Sequence, residues 1–370
     1  MENLGIEKLF GGIYKGKTVL VTGHTGFKGS WLSHWLAKMG AKVVGFALEP
    51  NTNPNHFRIL NLKIKSEIYN INNIYSIKRI IKHYKPEIIF HLAAQPLVRE
   101  SYDDPLFTFT TNIIGTANLL EACRNNYFVK AVVAVTSDKC YENNEWLWGY
   151  RESDAMGGFD PYSASKGCAE LIVSSYRRSF FNLNDYNKTH NTLIATARAG
   201  NVIGGGDWSK DRLIPDIVRA TEQSDKVMIR NPNSTRPWQH VLDPLSGYLL
   251  LGQGLLEGKT DLAEAFNFGP TDEGASTVAD IVKLAKKAWD EIDIVVDKST
   301  KHPHEANFLK LDCSKAHNKL NWKNTWELND TINKTISWYK SYYMGNTIKT
   351  DDDITDFIKD AKTKKAIWTK

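Results

Sequence analysis

The chain has 370 residues, enough for one large domain or two fused ones, and 42% of them are hydrophobic, enough for a substantial core. Its 47 basic and 42 acidic residues leave a net charge of +5 spread along the sequence. That balance excludes the dense basic stripe of a nucleic-acid binder and is compatible with an anionic small molecule or with no charged ligand.

The four cysteines, Cys123, Cys140, Cys168 and Cys313, are scattered without a Cys-x-x-Cys pair. No disulfide framework or zinc site is expected, and a reducing compartment is. Met1 to Lys17 has no apolar signal core, and no apolar run approaches the roughly 20 residues that span a bilayer. A cytoplasmic protein without a membrane partner is expected.

Along the chain, Thr18–Val21 reads as a buried strand. A helical pattern follows over Ser30–Met39, with Trp31, Leu32, Trp35, Leu36 and Met39 on one face and Gly40 as its C-cap. Strand patterns recur at Lys42–Leu48, Glu87–Ala93, Ala131–Thr136 and Thr192–Ala197, and helical ones at Ser76–Tyr84, Thr111–Arg124 and Tyr162–Phe180. Such alternation predicts an α/β, Rossmann-type doubly wound parallel sheet, because parallel neighbours need crossovers. After about Gly200 the pattern loosens into loop signals, with helices expected at Leu213–Thr221, Ala279–Trp289 and Leu328–Tyr342. The reading divides the chain into a cofactor-binding domain over 1–198, with a return segment near 241–270, and a smaller C-terminal ligand-binding domain over 199–345. Residues 346–370 read as a charged tail, a peripheral helix or a disordered end, whose few apolar residues are Ile354, Phe357 and Ile358.

Thr22-Gly23-His24-Thr25-Gly26-Phe27-Lys28-Gly29 joins the first strand to the first helix with Gly-x-x-Gly-x-x-Gly spacing. Glycines permit the tight turn and bring backbone close to a diphosphate seated on free N–H groups at a helix N-terminus. The bland alternative is an ordinary glycine-rich turn, against which the flanking strand and amphipathic helix argue. Folds that favour NAD often end the second strand with an acid for the ribose hydroxyl. Here that place falls near Ala47 or Leu48, and Glu49 comes late. With no basic residue in its place, NAD is expected, weakly held.

Tyr162-Ser-Ala-Ser-Lys166 puts a phenol and an ammonium on one helix face. A nearby cation lowers a tyrosine pKa and makes a base for a sugar hydroxyl. The glycine loop, this pair, His91-Leu-Ala-Ala94, Thr111-Asn-Ile-Ile-Gly-Thr116 and Arg198-Ala-Gly-Asn-Val202 together resemble the extended short-chain dehydrogenase/reductase family over most of residues 15–345.

That resemblance implies Tyr162 as redox base and Lys166 as its partner on the nicotinamide ribose. It implies NAD contacts from Gly23, His24, Thr25, Gly26, Phe27, Gly29, Asn70, Ile71, Leu92, Ala93, Ala94, Gln95 and Thr111. A nucleotide-sugar substrate is implied, with Asn201, Arg212, Leu213, Arg236, Trp238 and His304 around it. Arg236 and Trp238 also fit an exposed loop, and His302-Pro-His304 is too slight a pattern for a metal site, so none is expected. The family associates through helices placed here at Thr111–Arg124 and Tyr162–Phe180, which implies a homodimer or a dimer of dimers.

Thr136-Ser-Asp-Lys139 narrows the resemblance to 4,6-dehydratases; dTDP-glucose dehydratases carry Thr-Asp-Glu where this chain has Ser137, Asp138 and Lys139. Val135–Asn143, Gly204-Gly-Gly-Asp-Trp208, Arg236-Pro-Trp-Gln-His-Val241 and Leu309-Lys-Leu-Asp-Cys-Ser-Lys315 resemble the branch that acts on CDP-glucose, which serves deoxysugars of cell-surface polysaccharide. By that resemblance Asp138 protonates the leaving C6 hydroxyl, Ser137 hydrogen-bonds near O4 and Lys139 handles the C5 proton. The other readings are a structural ion pair or strand cap at Asp138–Lys139, a dehydratase or 4-epimerase acting on another nucleotide sugar, and a catalytically silent NAD sensor.

Overall fold

The computed structural model describes residues 5–229, 232–270, 275–296 and 308–370. Seven parallel strands form its central sheet: β1 Thr18–Thr22, β2 Lys42–Ala47, β3 Lys65–Ile68, β4 Ile88–His91, β5 Ala131–Val135, β6 Leu193–Arg198 and β7 Ala265–Asn267. Their spatial order is β7-β6-β5-β4-β1-β2-β3. The chain winds one way from β1 to β3 and the other way from β4 onward, so the sheet reverses direction between β1 and β4. At such a switch point the strand carboxyl ends leave an open crevice where ligands bind.

Burial of both faces explains the near-continuous apolar strands. Val19 and Val21 of β1, with Ala131 and Val133 of β5, enter one apolar cluster. Leu20, Val132 and Ala134, pointing the other way, enter a second. Helices α1 (Phe27–Lys38) and, much later, Leu242–Leu256 cover the first face; α2 (Ile74–Tyr84), α3 (Gly115–Cys123) and α4 (Pro161–Ser179) cover the second. Edge strand β3 escapes the sequence reading because its Lys65 and Ser66 are exposed, so it shows no apolar run. Charged, half-solvated edges are a common guard against stray strand pairing.

Of the helix and the disordered end weighed for residues 350–370, the helix forms: Thr350–Thr363, whose Ile354, Phe357, Ile358 and Ala361 are fully buried in the first cluster. The i, i+4 and i, i+3 spacing makes one stripe on an otherwise charged helix. Asp351 in its first turn pairs with Lys38 of α1 at 3.0 Å, and Trp368 beyond it stacks on Phe10 at 5.2 Å.

Candidate active site

The glycine loop begins where β1 ends. Gly23 has φ of +76°, and a Cβ there would stand 2.8 Å from the backbone nitrogen of Ala93, so only glycine lets the tips of β1 and β4 meet. Gly26 caps α1 without any side-chain bond, which leaves the first N–H groups of that helix available to an anion. Thr22 fastens the two tips: its Oγ1 accepts from the N–H of Leu92 and of Ala93, each at 3.1 Å. That hydroxyl lies 2.7 Å from His91 Nδ1, and His91 Nε2 lies 3.1 Å from Thr116 Oγ1. Burial, then the Lys166 charge, pushes His91 down to about 3, so it is a neutral spacer.

Several residues expected at the cofactor are occupied structurally. The His24 ring is buried, 2.7 Å from Ser66 Oγ and edge-on to Phe57, and burial pushes its pKa down to about 4. Thr25 donates to the Leu48 carbonyl, Asn70 accepts from the Asn72 N–H, and Ile71 is buried beside Gly115. Gln95 donates to the Leu97 carbonyl and Thr108. Asn112, absent from the expected set, joins three segments: it accepts from the Gln95 N–H and donates to the Gln95 carbonyl and Ser165 Oγ. It lies in a π-helical turn, Thr110–Ile114, that precedes α3 in place of the expected regular helix. π turns often mark functional sites, and here the buried Thr111 hydroxyl has no partner among the described residues.

Chemistry gathers at the tip of β5. Ser137 caps a single turn, Asp138–Cys140, accepting from the Lys139 N–H at 3.2 Å and donating to Asp138 Oδ1 at 2.9 Å. A side chain at Gly200, just past β6, would strike Asp138 Oδ2 at 2.2 Å; this glycine makes the carboxylate's room. Helix α4 opens with Asp160 as N-cap, accepting from the Ser163 N–H at 2.9 Å, and Pro161 in its first turn. Tyr162 follows, its N–H donating to Ser101 Oγ at 3.1 Å. One turn on, Lys166 Nζ lies 5.9 Å from the Tyr162 ring centroid.

The electrostatics differ from expectation. Burial pushes Tyr162 up to about 12, and the leading influences against it are the Ser137 hydroxyl and Arg212, not Lys166. Burial also pushes Lys166 down to about 8, with Cys140 and Glu170 working the other way. Lys139 is half-buried and forms no ion pair among the described residues.

Past β6, Arg212 pairs with buried Asp207 at 3.0 Å, just before Leu213 opens α5 (Leu213–Glu222). The Asn201 carbonyl accepts from the Gln239 N–H at 3.3 Å, and Gln239 Nε2 donates to the Gly200 and Phe268 carbonyls. Arg236 lies on a short ribbon, Thr235–Pro237 against Ala275–Thr277. Trp238 is buried in the first apolar cluster, its indole N–H without a partner among the described residues, so the exposed-loop alternative fails for it. His304 lies outside the described residues. No group of His, Cys, Asp and Glu able to hold a metal occurs among those described, and none of their helices is long and apolar enough to cross a membrane. The structure thus gathers Ser137, Asp138, Lys166 and Arg212 around Tyr162. The sequence reading missed Lys28 there; a charge inside the glycine run, where an apolar residue would pack, was the available signal.

Residues 20–335 match the family model described as GDP-mannose 4,6 dehydratase. The chain is 51% identical to a CDP-glucose 4,6-dehydratase of Salmonella typhimurium, over 95% of this chain and 98% of that one. It is 26% identical to a UDP-glucose 4-epimerase of Mycoplasma genitalium, over 88% and 97%. The fold matches dTDP-glucose 4,6-dehydratase of Bacillus anthracis in complex with NAD (TM-score 0.72, 22% identity, 88% and 97% covered). It also matches UDP-glucuronic acid 4-epimerase of Bacillus cereus in complex with UDP-glucuronic acid and NAD (TM-score 0.74, 22% identity, 88% and 100% covered). With its Rossmann-type sheet, the chain belongs to the GDP-mannose 4,6 dehydratase family, within the extended short-chain dehydrogenases/reductases.

Proposed function

We propose that the chain is an NAD-dependent hydro-lyase that converts CDP-glucose to CDP-4-keto-6-deoxyglucose. The observation that carries this reading is the meeting of Tyr162 and Lys166 with a buried carboxylate, Asp138, and Lys139 at one strand tip, in a chain 51% identical to a CDP-glucose 4,6-dehydratase. An epimerase needs the first pair but not the second. The close approach at Gly23 and the open helix end at Gly26 fit the diphosphate of NAD.

NAD, when bound against the glycine loop, would supply a hydride acceptor for C4 and, once reduced, a hydride donor for C6. Tyr162 takes the C4 hydroxyl proton, and Ser137 orients O4. Burial favours the neutral phenol, so the Ser137 hydroxyl and the Arg212 charge supply the bias toward phenolate. The 4-ketone acidifies C5–H; Lys139 removes that proton, and Asp138 protonates the departing C6 hydroxyl. Water leaves, and the C5 proton returns after the hydride reaches C6. The net change is loss of one water. Residues 1–198, with a return near 241–270, supply the cofactor side, and 199–345 the sugar-nucleotide side.

We also infer a homodimer in the cytoplasm, with a dimer of dimers as the larger assembly. Leu106 and Ile114, just before and within the turn leading to α3, and Leu171 on α4 are 75%, 51% and 59% exposed. Exposed apolar side chains of this kind are what partner subunits cover. Incubating purified protein with NAD and CDP-glucose tests the function: a 4-keto-6-deoxy product supports it. A 4-epimer, or no change in the sugar, rejects it.

A further inference from the structure

Lys28 stands one residue before Gly29, at the second position of α1. Its side chain is half-buried, and its ammonium lies 6.0 Å from the centroid of the Tyr248 ring. Four charges act on it, Arg212 and Lys166 of like sign and Asp138 and Asp207 of opposite sign. They come from two sides, Lys166 and Asp138 from that of α4 and β5 and Arg212 and Asp207 from the chain past β6, while Lys28 itself stands just past the carboxyl end of β1. Asp207 is already engaged by Arg212 at 3.0 Å, and Asp138 accepts from Ser137. Among the described residues Lys28 has neither a hydrogen bond nor an ion pair. The Tyr248 hydroxyl below it is also buried without a partner, in the field of Asp138 and Tyr162.

The crevice therefore holds more cation than anion. An ammonium held between two other cations is unfavourable unless an anion joins it. Both ligands of the proposed reaction carry a diphosphate. We propose that Lys28 is a diphosphate-binding residue, its ammonium taking a phosphate oxygen in the crevice it shares with Arg212. The assignment rests on the dehydratase reading for the identity of the ligands. Its chemistry serves the diphosphate of NAD or that of the nucleotide sugar, and the experiment separates them. Burial, then Arg212 and Lys166, pushes Lys28 down to about 7, so its charge is present below that pH and fades above it. A bound phosphate moves that midpoint upward.

The test uses the full chain with Lys28→Met and Lys28→Arg, measuring calorimetric affinities for NAD, CDP-glucose, CDP and cytidine. Loss of one charge-assisted hydrogen bond corresponds to a drop of about ten- to a hundred-fold. Lys28→Met is expected to show that drop for CDP and CDP-glucose but not for cytidine if the sugar nucleotide is the ligand, or for NAD if the cofactor is. Lys28→Arg keeps affinity within a few-fold in either case. Wild-type affinity for the diphosphate ligand should weaken as pH rises past about 7, and the Arg variant should stay flatter. Lys166, about 8, titrates in both proteins and so cancels in the comparison. Unchanged affinities in Lys28→Met, or equal losses for CDP and cytidine, overturn the proposal. If Lys28→Met does not fold, the pH comparison between wild type and Lys28→Arg decides, and identical profiles overturn it. A chain that binds NAD but no CDP-glucose defeats the substrate reading instead, and the NAD measurements alone then judge Lys28.

Discussion

Two buried charge clusters share helix α4, one turn apart, and they are built in opposite ways. Glu170 is saturated: Oε1 accepts from Thr136 at 2.5 Å, and Oε2 accepts from Thr196 and from Arg198 Nη2, both at 2.8 Å. Burial alone would raise its carboxyl, but Arg198 and the two threonines outweigh that and hold it below the usual carboxylate range. Lys166, four residues earlier, has no ion-pair partner among the described residues, and neither has Lys28 across the crevice. The saturated cluster locks β5, β6 and α4 together. Its neighbour leaves donors and charge for a ligand to complete, at the cost of depressed ammonium pKa values. One helix thus carries one charge that the protein neutralises itself and one that it leaves without a counter-charge among the described residues.

The largest effect should come from the unsaturated cluster. Tyr162→Phe removes the hydroxyl proposed to take the C4 proton, and turnover of CDP-glucose should fall by about 10²–10⁴-fold or more. Thermal midpoint and NAD affinity should hardly move. A variant that forms product at a near-normal rate would show that Tyr162 is not the base.

Asp138→Asn combined with Lys139→Ala should divide the reaction. Oxidation at C4 remains with Tyr162, so reduced cofactor should accumulate while 6-deoxy product falls by about 10²–10⁴-fold. Solvent-deuterium exchange at C5 should fall with it. Product at the wild-type rate would refute the assignment of elimination to this pair. Failure to accumulate reduced cofactor would mean that the pair also positions substrate.

Glu170→Gln reverses the pattern. It strands Arg198 without its counter-charge, and breaking a buried pair costs about 3–5 kcal/mol of stability. A lowered urea midpoint reads the loss, while NAD affinity of the folded fraction should change little. The pH sign follows from the lowered carboxyl: in wild type the pair's contribution is full above the ordinary glutamate value of 4.5 and fades as pH falls below it. A midpoint equal to wild type would mean that Glu170 and Arg198 do not lock the sheet.

How much of this was legible in the sequence follows from where each signal resides. The glycine loop and the apolar face of α1 are local patterns, and the structure reproduces them. The Lys28 position, the room that Gly200 makes for Asp138 and the bridging by Asn112 join residues far apart in sequence, so no local pattern announces them. The tyrosine pKa was misjudged because spacing reveals the nearby lysine but not the burial, which has the larger effect. The burial of the final helix was not foreseen because its four apolar residues are diluted by aspartates and lysines, and only its neighbours show that the stripe is covered.

The smallest expected effect lies at the far end of the cofactor site, where the protein supplies little charge of its own. Strand β2 ends at Ala47 with no acid, and Glu49 faces outward to Arg58 at 3.3 Å, with both side chains mostly exposed. A surface pair of this kind contributes about 0–1 kcal/mol and is screened by salt, so Glu49 is poorly placed to hold a ribose. Purified protein should therefore carry less than one NAD per chain, and added NAD should stimulate it. Replacing Leu48 with Asp puts a carboxylate nearer the strand end; by the ribose argument it should tighten NAD several-fold while leaving the rate at saturating cofactor unchanged. Protein isolated fully loaded and indifferent to added NAD would mean that the glycine loop and the contacts beyond β4 suffice, and that the missing acid has no consequence.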